Sequence, residues 1–352
     1  MTVHVIEALG DQRWADLLKR HPKASVFHTE GWLKALQQTY GLKPLVLTAS
    51  SPNEPLNDGL IFCEVKSWIT GQRLVSLPFS DHCDVLTHSA SGACELLLQL
   101  EGRLGSSNRY AEIRPVNDEL QPPPSWNRVE RLCIHTLPLV LPLEELFRNL
   151  HRNCIQRKIR RAERERLEYT SGRSKRLIMQ FYKLLLRTRI RHRLPPQPLK
   201  WFRNLVACMG ENLTIRVAAK GGVPVAALLT LSHRETTTYK YGCSDERFNS
   251  LGGMPYLLWK TIEEAKEQGM AQLDLGRSDL SNIGLVTFKD RLGAERKSLT
   301  YWQSGQIETG RLCSASLTNI AHRYIPRLPS AAVSLPASLF SAVGSLVYRH
   351  MD

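Results

Sequence analysis

The stretch LDLGRSDLSNIGLVTFKDRLGAE, residues 273–295, decides the fold class. It begins with a short apolar run, typical of a buried strand, which ends at the turn Gly276-Arg277. Beyond this turn, the pattern around Phe288 and Lys289 indicates a short helix. In open α/β sheets, ligands bind beyond the carboxyl ends of the strands. The stretch therefore predicts an α/β fold with a ligand-binding turn after this strand.

Strand-like and helix-like segments alternate along the rest of the chain, as they do in α/β proteins. Residues 213–219 and 223–233 predict a hairpin around a glycine turn, and residues 236–244 a third strand. A helix over 254–269 and a closing strand over 296–304 complete this half. The first half follows a similar order of strands and helices, which indicates a duplicated α/β unit.

A length of 352 residues favours two domains, because single hydrophobic cores stop growing near roughly 250 residues. We place the first domain at residues 1–145 and the second at 146–305, with a tail at 306–352. The tail is rich in Ser, Ala, Leu and Pro. Its apolar part, Ala331–Val347, predicts a docking helix or a frayed terminus, and weak contact with a membrane surface is the alternative.

The net charge of +14 is concentrated in one part of the chain. Residues 148–193, the basic segment, hold 16 Lys or Arg against three acids, a net charge of +13. Three interpretations are open: a solvated helical face, a surface for acidic headgroups or lipid diphosphates at the inner membrane, or a surface for tRNA. The aromatic residues Tyr169, Phe181 and Tyr182 fall on or near apolar helix faces, which argues against nucleic acid.

The sequence excludes several classes of protein. Its start, MTVHVIEALGDQRW, lacks the basic residues and the apolar core of a signal peptide. No uninterrupted apolar run reaches the roughly 20 residues of a membrane span, so we expect a cytoplasmic location. The eight cysteines are spread singly without a CxxC pair, and we expect reduced thiols rather than disulfides or a zinc site.

A glycine pair before the helix over 254–269 is the first candidate site. Glycines at Gly252 and Gly253 would let backbone amides approach a phosphate at the positive end of the helix. The alternative is a plain turn that requires glycine for a positive φ.

The turn after the strand at 273–276 is the second candidate site. Arg277 is placed to bind a carboxylate or a phosphate, and Lys289 to stabilise a developing oxyanion. The structural alternatives are an ion pair of Arg277 with Asp274 or Asp279, and a surface position for the Lys289 side chain.

The order of these motifs resembles the FemAB-type branch of the GNAT superfamily. The resemblance covers residues 25–305 and is carried by VFHTEGWLKAL, SLPFSDHCD, IQRKIRRAERERLE, KGGVPVAALLTL, KYGCSDERFNSLGG, LLWKTIEEAKEQG, LDLGRSDLSNIGLVTFKDRLGAE and LTYW. It implies two tandem GNAT-like α/β domains with mixed sheets flanked by helices. It also implies acyl or aminoacyl transfer to an amine, typically in cell-envelope cross-bridges, and in many relatives in polysaccharide-export or acyl-CoA pathways.

The resemblance also implies roles for residues of the second half. Phe288 and Lys289 match the FK motif of the family, whose lysine stabilises the tetrahedral intermediate. Thr188 and Arg191 match its T-x-x-R motif, whose arginine contacts a substrate diphosphate. The CoA-binding pattern of GNAT enzymes is approximated by residues 247–253, beginning at Arg247, with the glycines displaced.

In the first half, the resemblance places Trp32 on a substrate-binding helix. Ala35 and Leu36 stand where the family has a lysine that binds a nucleotide-sugar peptide. Asp81 belongs to the cluster DHCD at residues 81–84. Adjacent residues in an extended loop cannot all face one ion, so we expect this loop to border the substrate groove and expect no metal.

The general base is not determined by spacing. Asp274, Tyr241 and His233 are candidates, and water could take the proton from the amine instead. His233 lies beside Arg234 at a strand end and could equally be an ordinary surface histidine.

These features predict an acyltransferase that acts on an amine of a cell-envelope, peptidoglycan or exopolysaccharide precursor. The expected acceptor is a small-molecule or lipid-linked amine, and the expected donor is acyl-CoA. The alternatives are an aminoacyl-tRNA donor, and a non-enzymatic polyanion-binding protein on a degenerate GNAT scaffold. In either case, peripheral contact with the inner membrane is a further expectation from the basic segment.

Overall fold

The computed structural model describes residues 3–67, 71–105, 108–116, 119–192 and 194–305. The predicted tail helix at Ala331–Val347 lies outside these residues. The described chain divides into two compact units. The first contains the residues up to 132 together with 298–305, and the second contains residues 133–297. The domain limits expected from the sequence, 1–145 and 146–305, remain predictions.

Strands and α-helices alternate along the described residues. In chain order the strands are β1 (His4–Glu7), β2 (Pro44–Thr48), β3 (Leu60–Ser67), β4 (Gly71–Val75), β5 (Asn108–Ile113), β6 (Asn127–Pro138), β7 (Glu168–Gly172), β8 (Leu213–Lys220), β9 (Val223–His233), β10 (Thr236–Ser244), β11 (Gln272–Asp279) and β12 (Glu295–Gly305). The α-helices are α1 (Gln12–Arg20), α2 (Glu30–Tyr40), α3 (Ala90–Glu101), α4 (Leu143–Asn149), α5 (Arg157–Arg164), α6 (Lys175–Arg191), α7 (Leu199–Met209), α8 (Gly253–Glu267) and α9 (Ile283–Asp290). None of the helices described here is long and apolar enough to span a membrane.

The first unit has a mixed sheet with the strand order β1-β2-β3-β4-β5-β12. Neighbouring strands run antiparallel except β4 and β5, which run parallel. Helix α3 covers one face, where Leu96 joins an apolar core with Leu47 of β2. Helix α1 covers the other face. Val46 of β2 points to the face opposite Leu47, and both Val46 and Trp14 of α1 lie against Gly59.

The second unit has a mixed sheet with the order β6-β11-β10-β9-β8-β7, in which β10 and β11 run parallel. Helices α5 and α8 pack around Ala226 and Leu228 of β9. Helices α6 and α7 lie on the opposite face. There the thiol of Cys243, which is in register with Ala227, is 3.5 Å from the main-chain oxygen of Phe181. The predicted α/β fold, with mixed sheets flanked by helices, is confirmed.

One predicted helix is broken in the structure. The pattern of residues 146–169 predicts a continuous helix, but the chain forms α4, a π-helical turn at Arg152–Gln156, α5 and then β7. At the break Leu150 is extended, with ψ of 140°. The Nδ1 atom of His151 accepts a hydrogen bond from the main-chain nitrogen of Cys154 at 3.2 Å, and this side-chain cap starts a new helical segment.

Candidate active site

The predicted site turn lies where the parallel pairing of β10 and β11 ends. The pairing covers Thr236–Thr238 and Gln272–Asp274, after which β10 continues along β9. On β11, Oδ1 of Asp274 accepts a hydrogen bond from the main-chain nitrogen of Gly276 at 2.7 Å. Gly276 has a φ of +70°, a conformation that favours glycine. The strand therefore bends here but continues to Asp279, so the predicted strand end at Gly276-Arg277 is a bend within β11. The bend follows the end of the parallel pairing, a point where α/β proteins commonly bind ligands.

Lys289 reaches this turn from α9. Its side chain is 3% exposed, and its Nζ donates to the main-chain oxygens of Gly276 at 2.8 Å and Arg277 at 3.1 Å. Helix α9 is capped by Asn282, whose Oδ1 accepts from the main-chain nitrogen of Leu285 at 3.2 Å. A buried ammonium at the bend of β11 excludes the alternative that the Lys289 side chain lies on the surface.

Three predicted residues therefore share one turn: Asp274, Arg277 and Lys289. Asp274 and Lys289 bond to the nitrogen and the oxygen of Gly276, and Arg277 contributes its main-chain oxygen. Phe288 packs against the apolar core of the second unit, which helps to hold α9 in place. Their chemical roles remain predictions, but their proximity is a feature of the structure.

A histidine–aspartate pair beside Lys289 is not apparent from the sequence pattern. His135 on β6 is fully buried, and its Nε2 lies 3.0 Å from Oδ1 of Asp290, which is 155 residues away in the chain. Burial lowers the pKa of His135, so the neutral ring donates its Nε2 proton to the carboxylate. Its Nδ1 has no hydrogen-bond partner among the residues that the structure describes. The available sequence signal was a histidine inside an otherwise apolar strand segment.

Arginines surround Asp245, at the end of β10. Arg247 donates to the two carboxylate oxygens at 3.0 and 2.7 Å, and Arg187 of α6 also pairs with this carboxylate. The hydrogen bond from Arg247 lowers the pKa of Asp245 to about 2, so the carboxylate is ionised at neutral pH. Arg247, a predicted CoA ligand, is 65% exposed but already has an anionic partner within the protein.

The end of α6 lies beside the residues at the end of β10, near Asp245. The hydroxyl of Thr188 donates to the main-chain oxygen of Ser244 at 3.1 Å and accepts from its nitrogen at 3.0 Å. One turn later, Nε of Arg191 is 4.0 Å from Oε2 of Glu246. The two residues of the predicted T-x-x-R pair therefore lie at the carboxyl end of β10.

Packing explains the glycine pair at the start of α8. Gly252 has a φ of +79°, and a Cβ there would lie 2.3 Å from the main-chain oxygen of Lys158 in α5. A Cβ on Gly253 would lie 3.0 Å from the Cβ of Ala226 on β9. The glycines allow α5 and β9 to approach α8 closely, and the predicted phosphate cradle at these residues remains a prediction.

Substituting Gly252 by alanine is expected to destabilise the protein more than the same change at Gly222. Both residues have positive φ, at +79° and +74°, which costs alanine roughly 1–2 kcal/mol at either position. At Gly222 nothing lies within 4 Å of the added Cβ, whereas at Gly252 it meets Lys158 and adds about 1–3 kcal/mol of overpacking. Equilibrium unfolding in urea measures both variants. Equal losses of unfolding free energy would contradict the close approach of α5.

The other predicted site residues lie apart from this turn or in the first unit. The hydroxyl of Tyr241 accepts a hydrogen bond from Nε1 of Trp201 on α7 at 2.9 Å, within the packing of α7 against the sheet. In the first unit, Trp32 is fully buried, and the main-chain oxygen of Asp81 accepts from the hydroxyl of Tyr301 at 2.6 Å. His233 is half-buried at the end of β9, and burial lowers its pKa.

Residues 149–289 match the family model of the acetyltransferase (GNAT) domain. This range contains α5 to α8, the Asp274 turn and Lys289. No curated protein matches the sequence of the chain.

Several solved structures resemble most of the chain. FemX is 13% identical with a TM-score of 0.67, covering 86% of this chain and 97% of its own. L-PGS from Bacillus licheniformis is 13% identical with a TM-score of 0.56, covering 90% and 97%. A tandem GNAT protein from the clavulanic acid biosynthesis pathway is 10% identical with a TM-score of 0.51, covering 88% and 100%. Residues 149–289 therefore carry a GNAT acetyltransferase domain, and the fold of the chain is similar to those of FemX and of the tandem GNAT protein.

Proposed function

We propose that the chain is an N-acyltransferase that moves an acyl group from acyl-CoA to an amine of a cell-envelope precursor. The observation that carries this proposal is the buried ammonium of Lys289, held at the bend of β11 within the GNAT domain. A positive charge in such surroundings acts strongly on negative charge that develops nearby, because little water screens it.

In the proposed reaction the neutral amine attacks the thioester carbonyl carbon. A C–N bond forms, and negative charge moves onto the carbonyl oxygen, where Lys289 stabilises it. The intermediate collapses with cleavage of the C–S bond, and the CoA thiolate takes up the proton that the amine releases, directly or through water. Asp274 remains the candidate base at this turn, while the Tyr241 hydroxyl is engaged with Trp201.

The proposed donor site lies between the ends of α6 and β10. Arg191 and Arg247 are exposed cations there and would contact phosphate groups of CoA, with Arg247 exchanging its bond to Asp245 for one to the ligand. Gly252 and Gly253 would bring the start of α8 close to the same phosphates. The substrate-binding roles that the family resemblance implies for Trp32 and Asp81 remain predictions, and the Trp32 side chain is fully buried in the first unit.

A second donor, aminoacyl-tRNA, is favoured by the basic segment. Its net charge of +13 suits a polyanionic ligand, and Arg157, Lys158, Arg160 and Arg161 are exposed on α5. The FemAB-type fold is compatible with either donor.

Calorimetric titration of CoA and short acyl-CoA compounds distinguishes the two donors. We expect micromolar binding that weakens about tenfold in Arg247→Gln, since one charge-assisted contact to phosphate is lost. Arg176→Gln removes the same charge from the exposed start of α6, fifteen residues before Arg191, and is expected to leave binding unchanged.

Absence of CoA binding would overturn the acyl-CoA proposal. If tRNA then binds with an affinity that falls steeply with salt, and if neutralising residues 157–161 removes this binding, the donor is aminoacyl-tRNA. Substitution of Gly252 is unsuitable for this purpose because of its contact with Lys158.

A further inference from the structure

Helices α6 and α7 carry an excess of positive charge, most of which the proposed reaction does not use. Residues 173–209 contain ten Lys or Arg and no Asp or Glu. The proposed donor site involves only the last turns of α6. The first turns of α6 and the exposed side of α7 lie on the face of the second unit opposite α5 and α8.

An apolar groove runs between α6 and α7. Its volume is about 540 Å³, and its apolar lining is Ile178, Met179, Val206 and Ala207. Met179 is 38% exposed and adds apolar surface to the groove. The groove is wide enough to hold a hydrocarbon segment.

The rim of this groove is cationic. Arg173, Lys175 and Arg203 line it. Arg173 pairs with Glu211, whereas Lys175 and Arg203 are exposed and give the rim its excess charge. Long basic side chains around an apolar floor fit a ligand that has both an anionic group and a hydrocarbon part.

We propose that this face, the α6–α7 face, docks onto an anionic phospholipid surface. Lys175 and Arg203 contact the headgroup phosphates, and Met179 enters the interfacial region above the groove. A nucleic acid fits less well, because the groove lining offers an apolar floor without an aromatic ring for base stacking. The inference goes beyond the proposed reaction: it concerns where the protein works, and it holds for either donor.

Co-sedimentation of the full chain with vesicles tests this proposal. We expect binding to vesicles of 30% phosphatidylglycerol in phosphatidylcholine and little binding to phosphatidylcholine alone. Lys175→Gln and Arg203→Gln are each expected to weaken binding about fivefold. Met179→Glu is expected to weaken it further by placing a carboxylate among the headgroups.

A matched pair of substitutions on the other face serves as the control. Arg157→Gln with Lys158→Gln removes two exposed charges from α5, so the net charge equals that of Lys175→Gln with Arg203→Gln. The control pair is expected to bind vesicles with an affinity within twofold of that of the unchanged protein. All variants are expected to keep the same melting temperature and the same affinity for CoA, so a failure here leaves the proposed reaction untouched.

Three outcomes would overturn the proposal. The first is no binding to anionic vesicles. The second is an equal loss in the α5 control, which would indicate attraction by net charge alone. The third is salt-dependent tRNA binding that the α6–α7 substitutions abolish while vesicle binding is unaffected, which would assign this face to nucleic acid.

Discussion

Replacing Lys289 by methionine is expected to lower the rate of acyl transfer about 100- to 1,000-fold, the usual effect of removing one oxyanion donor. Methionine keeps a long apolar stem in the buried site but has no charge and no N–H donor. Affinity for CoA is expected to change little, because Lys289 acts on charge that develops only during the reaction. Steady-state turnover together with calorimetric binding separates the two effects.

A structural loss could imitate this result, since Lys289 also bonds to the main-chain oxygens of Gly276 and Arg277. Lys266→Met is the matched control. The Nζ of Lys266 likewise donates to two main-chain oxygens of the second unit, those of Leu139 at 2.8 Å and Val140 at 3.4 Å, but away from the β11 turn. Each substitution leaves two acceptors without their donor. The cost is roughly 1–3 kcal/mol where an acceptor stays buried and less at Val140, which is 79% exposed.

Comparing the two variants therefore distinguishes a role of Lys289 in acyl transfer from a role in holding the backbone in place. Loss of turnover in Lys289→Met with retention in Lys266→Met is the expected pattern. Equal losses in both would reduce Lys289 to a structural lysine. Full turnover in Lys289→Met would remove the central argument for the proposed reaction and favour the polyanion-binding alternative, which does not depend on this residue.

Replacing Arg114 by leucine is expected to destabilise the protein by about 3–5 kcal/mol, because it breaks a buried ion pair and leaves one charge behind. Arg114 and Glu112 are both fully buried in the first unit, with Nε 2.8 Å from Oε1. The guanidinium also donates to the main-chain oxygens of Leu77 and Ser80, both at 3.2 Å. Equilibrium unfolding in urea measures the loss of unfolding free energy.

An exposed pair provides the comparison for Arg114. Arg128 and Glu130 lie 2.7 Å apart with side chains 57% and 53% exposed, so Arg128→Leu is expected to cost at most about 1 kcal/mol. The double variant Arg114→Leu with Glu112→Leu is expected to regain part of the loss, since no buried charge is left unpaired. If Arg114→Leu does not fold, Arg114→Lys keeps the charge and loses the forked geometry. A loss below 1 kcal/mol in either Arg114 variant would contradict the buried pair.

Most strands and helices could be predicted because their patterns are local. The pattern of residues 12–20 predicts a helix, and α1 has these bounds. The side chain of Asp11 caps it by accepting from the main-chain nitrogen of Arg13 at 3.0 Å. The break before α5 could not be predicted, because no proline or glycine stands near the extended Leu150 to mark it in the sequence. Strand β7 could not be predicted either, because it is a polar edge strand without an apolar pattern, and only its pairing with β8 defines it.

The candidate site was predictable where one contiguous stretch contains it. Asp274, Gly276 and Lys289 are sequence neighbours, and the bend of β11 brings them together. The pairing of His135 with Asp290 spans 155 residues and depends on the order of β6 and β11 within the sheet, which no local pattern determines. Packing roles, such as that of Gly252 against α5, depend equally on long-range contacts.

The contact between Gly252 and Lys158 makes the packing of α5 against α8 independent of the charge that α5 carries on its surface. The three atoms nearest to a Cβ at position 252 are the main-chain oxygen, its carbon and the Cβ of Lys158, and all residues except glycine have these atoms. Position 158 should therefore tolerate nearly every side chain in a saturation library, while position 252 should tolerate almost none but glycine. The charge of this helix is free to diverge between related proteins without any change in how the helix is attached.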